Sequence, residues 1–110
     1  MATSYKILGQ AAPANTSNAD LYTVPSATEA VISTLLVTNT TATDATCRIF
    51  ARAAGAAAAT SNAIVYDGTV TANNFTAITV GVTLSATDIL TVQSGTGSAL
   101  TFQAFGSEIA

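Results

Sequence analysis

The sequence predicts an all-β fold: one single-domain β-sandwich over residues 1–110, jelly-roll or Ig-like, built from about eight short antiparallel strands. Three observations carry that expectation. β-Branched residues recur in short runs with two-residue alternation. Gly, Asn, Asp, Ser or Thr stand between most of these runs, where turn chemistry needs them. No segment sustains an apolar stripe at helical spacing. A length of 110 residues suits one domain with a core of its own.

Taken in order, "SYKILGQ" and "DLYTVP" are the first two strands, the second ended by Pro25. "VISTLLVTNT" (Val31 to Thr40) is the third, closed by the turn-forming cluster "NTTATDAT". In "TCRIFARA", alternation places Cys47, Ile49 and Ala51 on one face and Arg48, Phe50 and Arg52 on the other. The alanine run that follows contains Gly55 and is too short to nucleate a helix, so it is read as a connection with at most one helical turn. "NAIVYDGTV" (Asn62 to Val70) is a strand with a turn or bulge at Asp67-Gly68. "FTAITVGVTL" is read as one strand with Ile78, Val80, Val82 and Leu84 inward. "DILTVQSG" sends Leu90 and Val92 inward, and "ALTFQAFGSEI" sends Leu100, Phe102 and Ala104 to one face and Thr101, Gln103 and Phe105 to the other.

Composition narrows the function. Only 8% of residues are charged, the formal net charge is −3, and the basic residues are Lys6, Arg48 and Arg52 alone. That is too little positive charge for a phosphate-binding footprint, so no nucleic-acid partner is expected. No apolar run approaches the roughly 20 residues of a membrane helix, and "MATSYKILGQ" lacks a secretory h-region. The single Cys47 cannot form an intrachain disulfide, which fits synthesis in a reducing cytoplasm. With no histidine, triad chemistry and His-based metal sites are excluded. Six scattered carboxylates, mostly at turns, and a glycine-rich "SGTGS" without a lysine or a following helix complete a sequence that predicts no enzyme, no metal and no cofactor. A nearly uncharged, threonine-rich surface repels neighbours poorly and favours life in an assembly.

"YKILGQAAPAN", "DLYTVP", "AVISTLLVTN" and the closing "FGSEI" together resemble small virion structural proteins of tailed bacteriophages, particularly marine and cyanobacterial ones. The resemblance implies a virion protein made in the bacterial cytoplasm. Its partners would be the major capsid protein or other virion proteins, and further copies of itself, for example in trimers. Capsid decoration (cement) is the role that best suits a small, neutral all-β chain. A tail, baseplate or fibre component is the alternative. A carbohydrate- or host-surface-binding module is a third reading, with Tyr5, Tyr22 and Tyr66 as its only stacking platforms.

Candidate contact residues follow from the strand assignments. Arg48, Phe50 and Arg52 form an outward set in which Phe50 would anchor a partner and the arginines would bond its carbonyls or carboxylates. The competing reading packs Phe50 under a loop and pairs the arginines with Asp44 or Asp67. The two terminal strands offer Tyr5, and Phe105 with Glu108, as residues of edges able to join a neighbour's sheet.

Overall fold

In the computed structural model, residues 2–79 and 81–110 are described. They form strands β1 (Thr3–Ala11), β2 (Ala19–Thr23), β3 (Glu29–Asn39), β4 (Ala45–Arg52), β5 (Ala63–Val70), β6 (Phe75–Ile78), β7 (Val82–Leu84), β8 (Ile89–Ser94) and β9 (Leu100–Ile109). One sheet has the order β1-β9-β3-β6, with β7 also on β3; the other has the order β2-β8-β4-β5. Every pairing is antiparallel. The pairings nest: β1 with β9, β2 with β8, β3 with β6 and β7, β4 with β5. The chain is thus a long hairpin rolled into two facing sheets, the jelly-roll form of the predicted sandwich.

The core lies between the sheets. Ile32, Leu35, Val37, Leu100 and Phe102 from the first sheet meet Ile49, Leu90 and Val92 from the second, all essentially without solvent contact. Each such side chain contributes about 1.5–3 kcal/mol through its burial. The alternation predicted for β8 and β9 holds: Leu90, Val92, Leu100, Phe102 and Ala104 are all buried. Buried Asn39 closes the β3–β4 corner. Its Nδ2 donates to the carbonyls of Thr43 (2.9 Å) and Val70 (3.0 Å), while its Oδ1 accepts from the Thr41 N–H (2.9 Å) and hydroxyl (2.7 Å).

One predicted strand is two. "FTAITVGVTL" breaks between Ile78 and Val82, with Gly81 in the left-handed region at φ 61°; the expectation for Val80 lies outside the described residues. The break has a cause in its neighbour. β6 pairs with Leu35–Thr38 and β7 with Ala30–Ile32, so the gap faces the point where β3 slips register against β9 between Ile32 and Thr34. Gly106 permits that slip, because a Cβ there would stand 1.9 Å from the Val31 carbonyl oxygen. The connection exceeds the single turn expected of it: one 3-10 turn falls at Ala53–Gly55 in the alanine run and a second at Thr60–Asn62, just before β5. Ala54 (φ 51°) and Gly55 (φ 75°) are both left-handed, which stops any helix from propagating.

Candidate interaction surface

The second sheet presents Arg48, Phe50 and Arg52 on its outer face, as alternation predicts, but Phe50 is closed off from solvent. Phe50 is only 4% exposed and stands outside the central core cluster. It shares a depression with Ala58, Ala59 and Thr60, so the alanine-rich connection lies over it. This corrects the expectation of an open aromatic anchor: alternation fixes which face a side chain is on, not whether a loop returns to cover it. Phe50 also meets Tyr66 edge-on, with centroids 6.5 Å apart and planes at 81°.

Arg52 fastens the cover. Its Nε donates to the Ala56 carbonyl (2.6 Å) and its Nη2 to the Gly55 carbonyl (3.2 Å), while Nη1 reaches Asp20 (3.2 Å) and the Thr91 hydroxyl (3.1 Å). Asp88 ties down the same loop by accepting from the Ala54 N–H (2.8 Å). Arg48 is held by the β5 bulge. Cys47 pairs with Gly68 and Arg48 with Tyr66, leaving Asp67 as the extra residue at φ 57°. The bulge aims Asp67 at Arg48, giving Nε–Oδ1 2.7 Å and Nη2–Oδ2 3.2 Å. The guanidinium also lies 4.0 Å from the centre of the Tyr66 ring. Hydrogen bonding to Asp67 raises the Arg48 pKa and, reciprocally, Arg48 holds the Asp67 carboxyl below the usual carboxylate range. Cys47 faces the core, where burial first and Asp67 second push its thiol up to about 11. Such a thiol is unreactive.

The first sheet differs. By register, Tyr5 lies beside Ser107 and Val31, Ile7 beside Phe105 and Thr34, and Phe75 beside Thr38. The β3 neighbours Ala30, Ile32, Leu35, Val37 and Asn39 are all buried, so these rows face outward. Tyr5 is 84% exposed, Ile7 53% and Phe75 60%. Tyr5 and Phe105 line one shallow depression with Val31, Ser33 and Ser107.

Glu108 is elsewhere, and β9, paired with β1 on one side and β3 on the other, is not the open edge that its place at the end of the chain suggests. It pairs with Ala30, which is buried, so its side chain turns to the inner face at the end of the sandwich. There it meets Lys6 Nζ at 2.5 Å and accepts a short hydrogen bond from the Tyr22 hydroxyl, bridging the two sheets. Lys6 first and Tyr22 second hold its carboxyl below the usual range. Burial, followed by the bond to Glu108, raises the Tyr22 phenol.

The candidates therefore fall into three places: Arg48, Phe50 and Arg52 on the outer face of the second sheet, with Phe50 covered, Tyr5 and Phe105 on that of the first, and Glu108 between the sheets. Each basic side chain is engaged by a carboxylate: Lys6 by Glu108, Arg48 by Asp67, Arg52 by Asp20. Ile7 and Phe75 were not among the sequence candidates. The alternation of Tyr5 and Ile7 against Lys6 and Leu8 would have shown that the first pair shares a face, but not that this face meets water.

No protein-family model and no curated protein matches the sequence. A chain in the structure of infectious bursal disease virus, Gx strain, is similar in fold, with a TM-score of 0.51 at 12% sequence identity. The match covers 97% of this chain and 31% of the viral one, so this chain spans about a third of its neighbour's length.

Proposed function

We propose that this protein is a non-enzymatic structural component of a virion, present as many identical copies. Within the particle its place is the head shell, where it decorates and cements the major capsid protein. The observation that carries the reading is a jelly-roll that is similar, over 97% of the chain, to part of a chain in a virus structure. Jelly-rolls serve viral shells, where side-by-side packing of one sandwich on another builds a surface. The sequence resemblance to tailed-phage virion proteins points the same way. So does a first sheet that leaves Tyr5, Ile7 and Phe75 in water while each basic side chain is engaged by a carboxylate. Apolar and backbone contacts repeated over many copies would supply the binding energy, with little help from charge.

Jelly-rolls also serve lectins, but the tyrosines suit sugar stacking poorly. Arg48 lies over one face of the half-exposed Tyr66 ring, and Tyr22 is buried and bonded to Glu108, which leaves Tyr5 as the most open of the three. Quantitative mass spectrometry of purified particles tests the proposal. Decoration requires a copy number comparable with that of the major capsid protein. A handful of copies per particle, or labelling that places the protein below the portal, moves it to the tail or baseplate and removes the decoration role.

A further inference from the structure

β1 is the strand at one edge of the first sheet, and its two halves end differently. The register slips between Ile7 and Gly9, and beyond the slip the strand presses on β2: a Cβ on Gly9 would stand 2.2 Å from the Leu21 carbonyl oxygen. The half before the slip, Thr3 to Ile7, is exposed at every residue. Its backbone phase is fixed by Ala2 and Ala110, which exchange both N–H···O bonds at 3.0 and 2.9 Å. Counting in alternation, Ser4 and Lys6 bond to β9, while the N–H and C=O groups of Thr3, Tyr5 and Ile7 point away from it into solvent. Three donors and three acceptors thus stand in a row on an edge with no proline.

We propose that Thr3–Ile7 is a strand-addition edge that pairs antiparallel with the same segment of a second copy of this chain, Tyr5 against Tyr5 across a two-fold axis. Thr3 of each copy then faces Ile7 of the other, and the six open backbone groups on each side find partners. The side chains of all three residues lie on the outer face, so the joint sets an aromatic pair between two β-branched pairs. Charge fits the same occupant. Lys6 is the one charged residue of the segment, and it falls opposite Ser4, not opposite its own copy. Glu108 at 2.5 Å already neutralises it. The two first sheets become one continuous sheet, an isologous and closed contact. The inference concerns this edge alone and does not depend on the virion reading.

Sedimentation equilibrium of the full chain across a range of concentrations is the test, and it should show a monomer–dimer equilibrium. Tyr5→Pro removes an N–H that faces away from β9, so the fold should persist by circular dichroism. Two inter-copy hydrogen bonds are lost, and the dimer constant should fall roughly ten- to a hundredfold. Tyr5→Lys sets two ammonium groups at the axis and should weaken the dimer in a salt-dependent way, which covers the case of a proline variant that does not fold. Tyr5→Cys should form a covalent dimer on mild oxidation, since native Cys47 is buried. A chain that stays monomeric at every concentration overturns the proposal. So does a dimer indifferent to both Tyr5→Pro and Tyr5→Lys.

Discussion

The two outer faces of the sandwich carry the same kinds of residue and put them to opposite uses. On the second sheet, Phe50 disappears beneath the alanine connection, and Arg48 and Arg52 are bound by Asp67, Asp20 and the loop carbonyls. On the first sheet, Tyr5, Ile7 and Phe75 stay in water, and among the described residues no loop returns over the Thr3–Ile7 edge. One face is completed by its own chain and the other is not. In a protein with so few charges, an open aromatic is a liability to solubility unless another molecule covers it. The open face is where contact with another molecule gains the most apolar burial.

Substitutions can break that contrast, the largest effect first. Phe50→Ala should cost about 3–5 kcal/mol of stability in urea unfolding, the loss expected of a buried aromatic. Tyr5→Ala, on the open face, should stay within about 0.5 kcal/mol of the wild type. Equal losses at the two positions would erase the distinction. Next comes Arg52→Ala, which removes bonds to a carboxylate, a hydroxyl and two carbonyls. It should cost about 1.5–3 kcal/mol and make residues 53–60 the first site of limited proteolysis. Arg48→Ala, whose partner Asp67 is exposed, should leave the unfolding midpoint nearly unmoved.

The joint between the sheets sharpens the comparison through pH. The Glu108 carboxyl is held below its usual range in the folded chain by Lys6 and Tyr22. Its contribution is therefore fully present above the unfolded carboxylate pKa of about 4.3 and is lost as pH falls through the lower folded value. Glu108→Gln should be less stable than the wild type by about 1–2 kcal/mol at neutral pH, and the gap should close in acid. A gap independent of pH would mean that the carboxylate charge is not what joins β9 to β1 and β2 there.

Much of the fold is legible in the residues, because a sheet with one buried face writes its period into the chain. The inward sets of β8 and β9 follow from alternation alone, and the Asp67-Gly68 bulge from a dipeptide that tolerates a positive φ. The break between β6 and β7 is not legible there. It answers a slip in β3 and a close approach at Gly106, contacts between segments far apart in sequence. The candidate surface divides in the same way. Alternation groups Arg48, Phe50 and Arg52 correctly, and Asp67 as an arginine partner follows from its turn position. The cover over Phe50 does not follow, because alanines carry no pattern that says where a loop will lie. Arg52 pairs with Asp20 and not with Asp44 for a similar reason: β2 and β4 flank β8 in one sheet, an order no local pattern encodes.

The most direct measurement of the contrast uses two tyrosines as opposite reporters. Tyr5 marks the open face of the first sheet and Tyr66 the outer face of the second, and both are at least half exposed in the single chain. Tyrosine nitration of the dissociated and assembled protein, read by peptide mass spectrometry, compares them in one sample. Assembly should protect Tyr5 and leave Tyr66 reactive. Protection of Tyr66 with Tyr5 still reactive would contradict the account and move the contact to the second sheet.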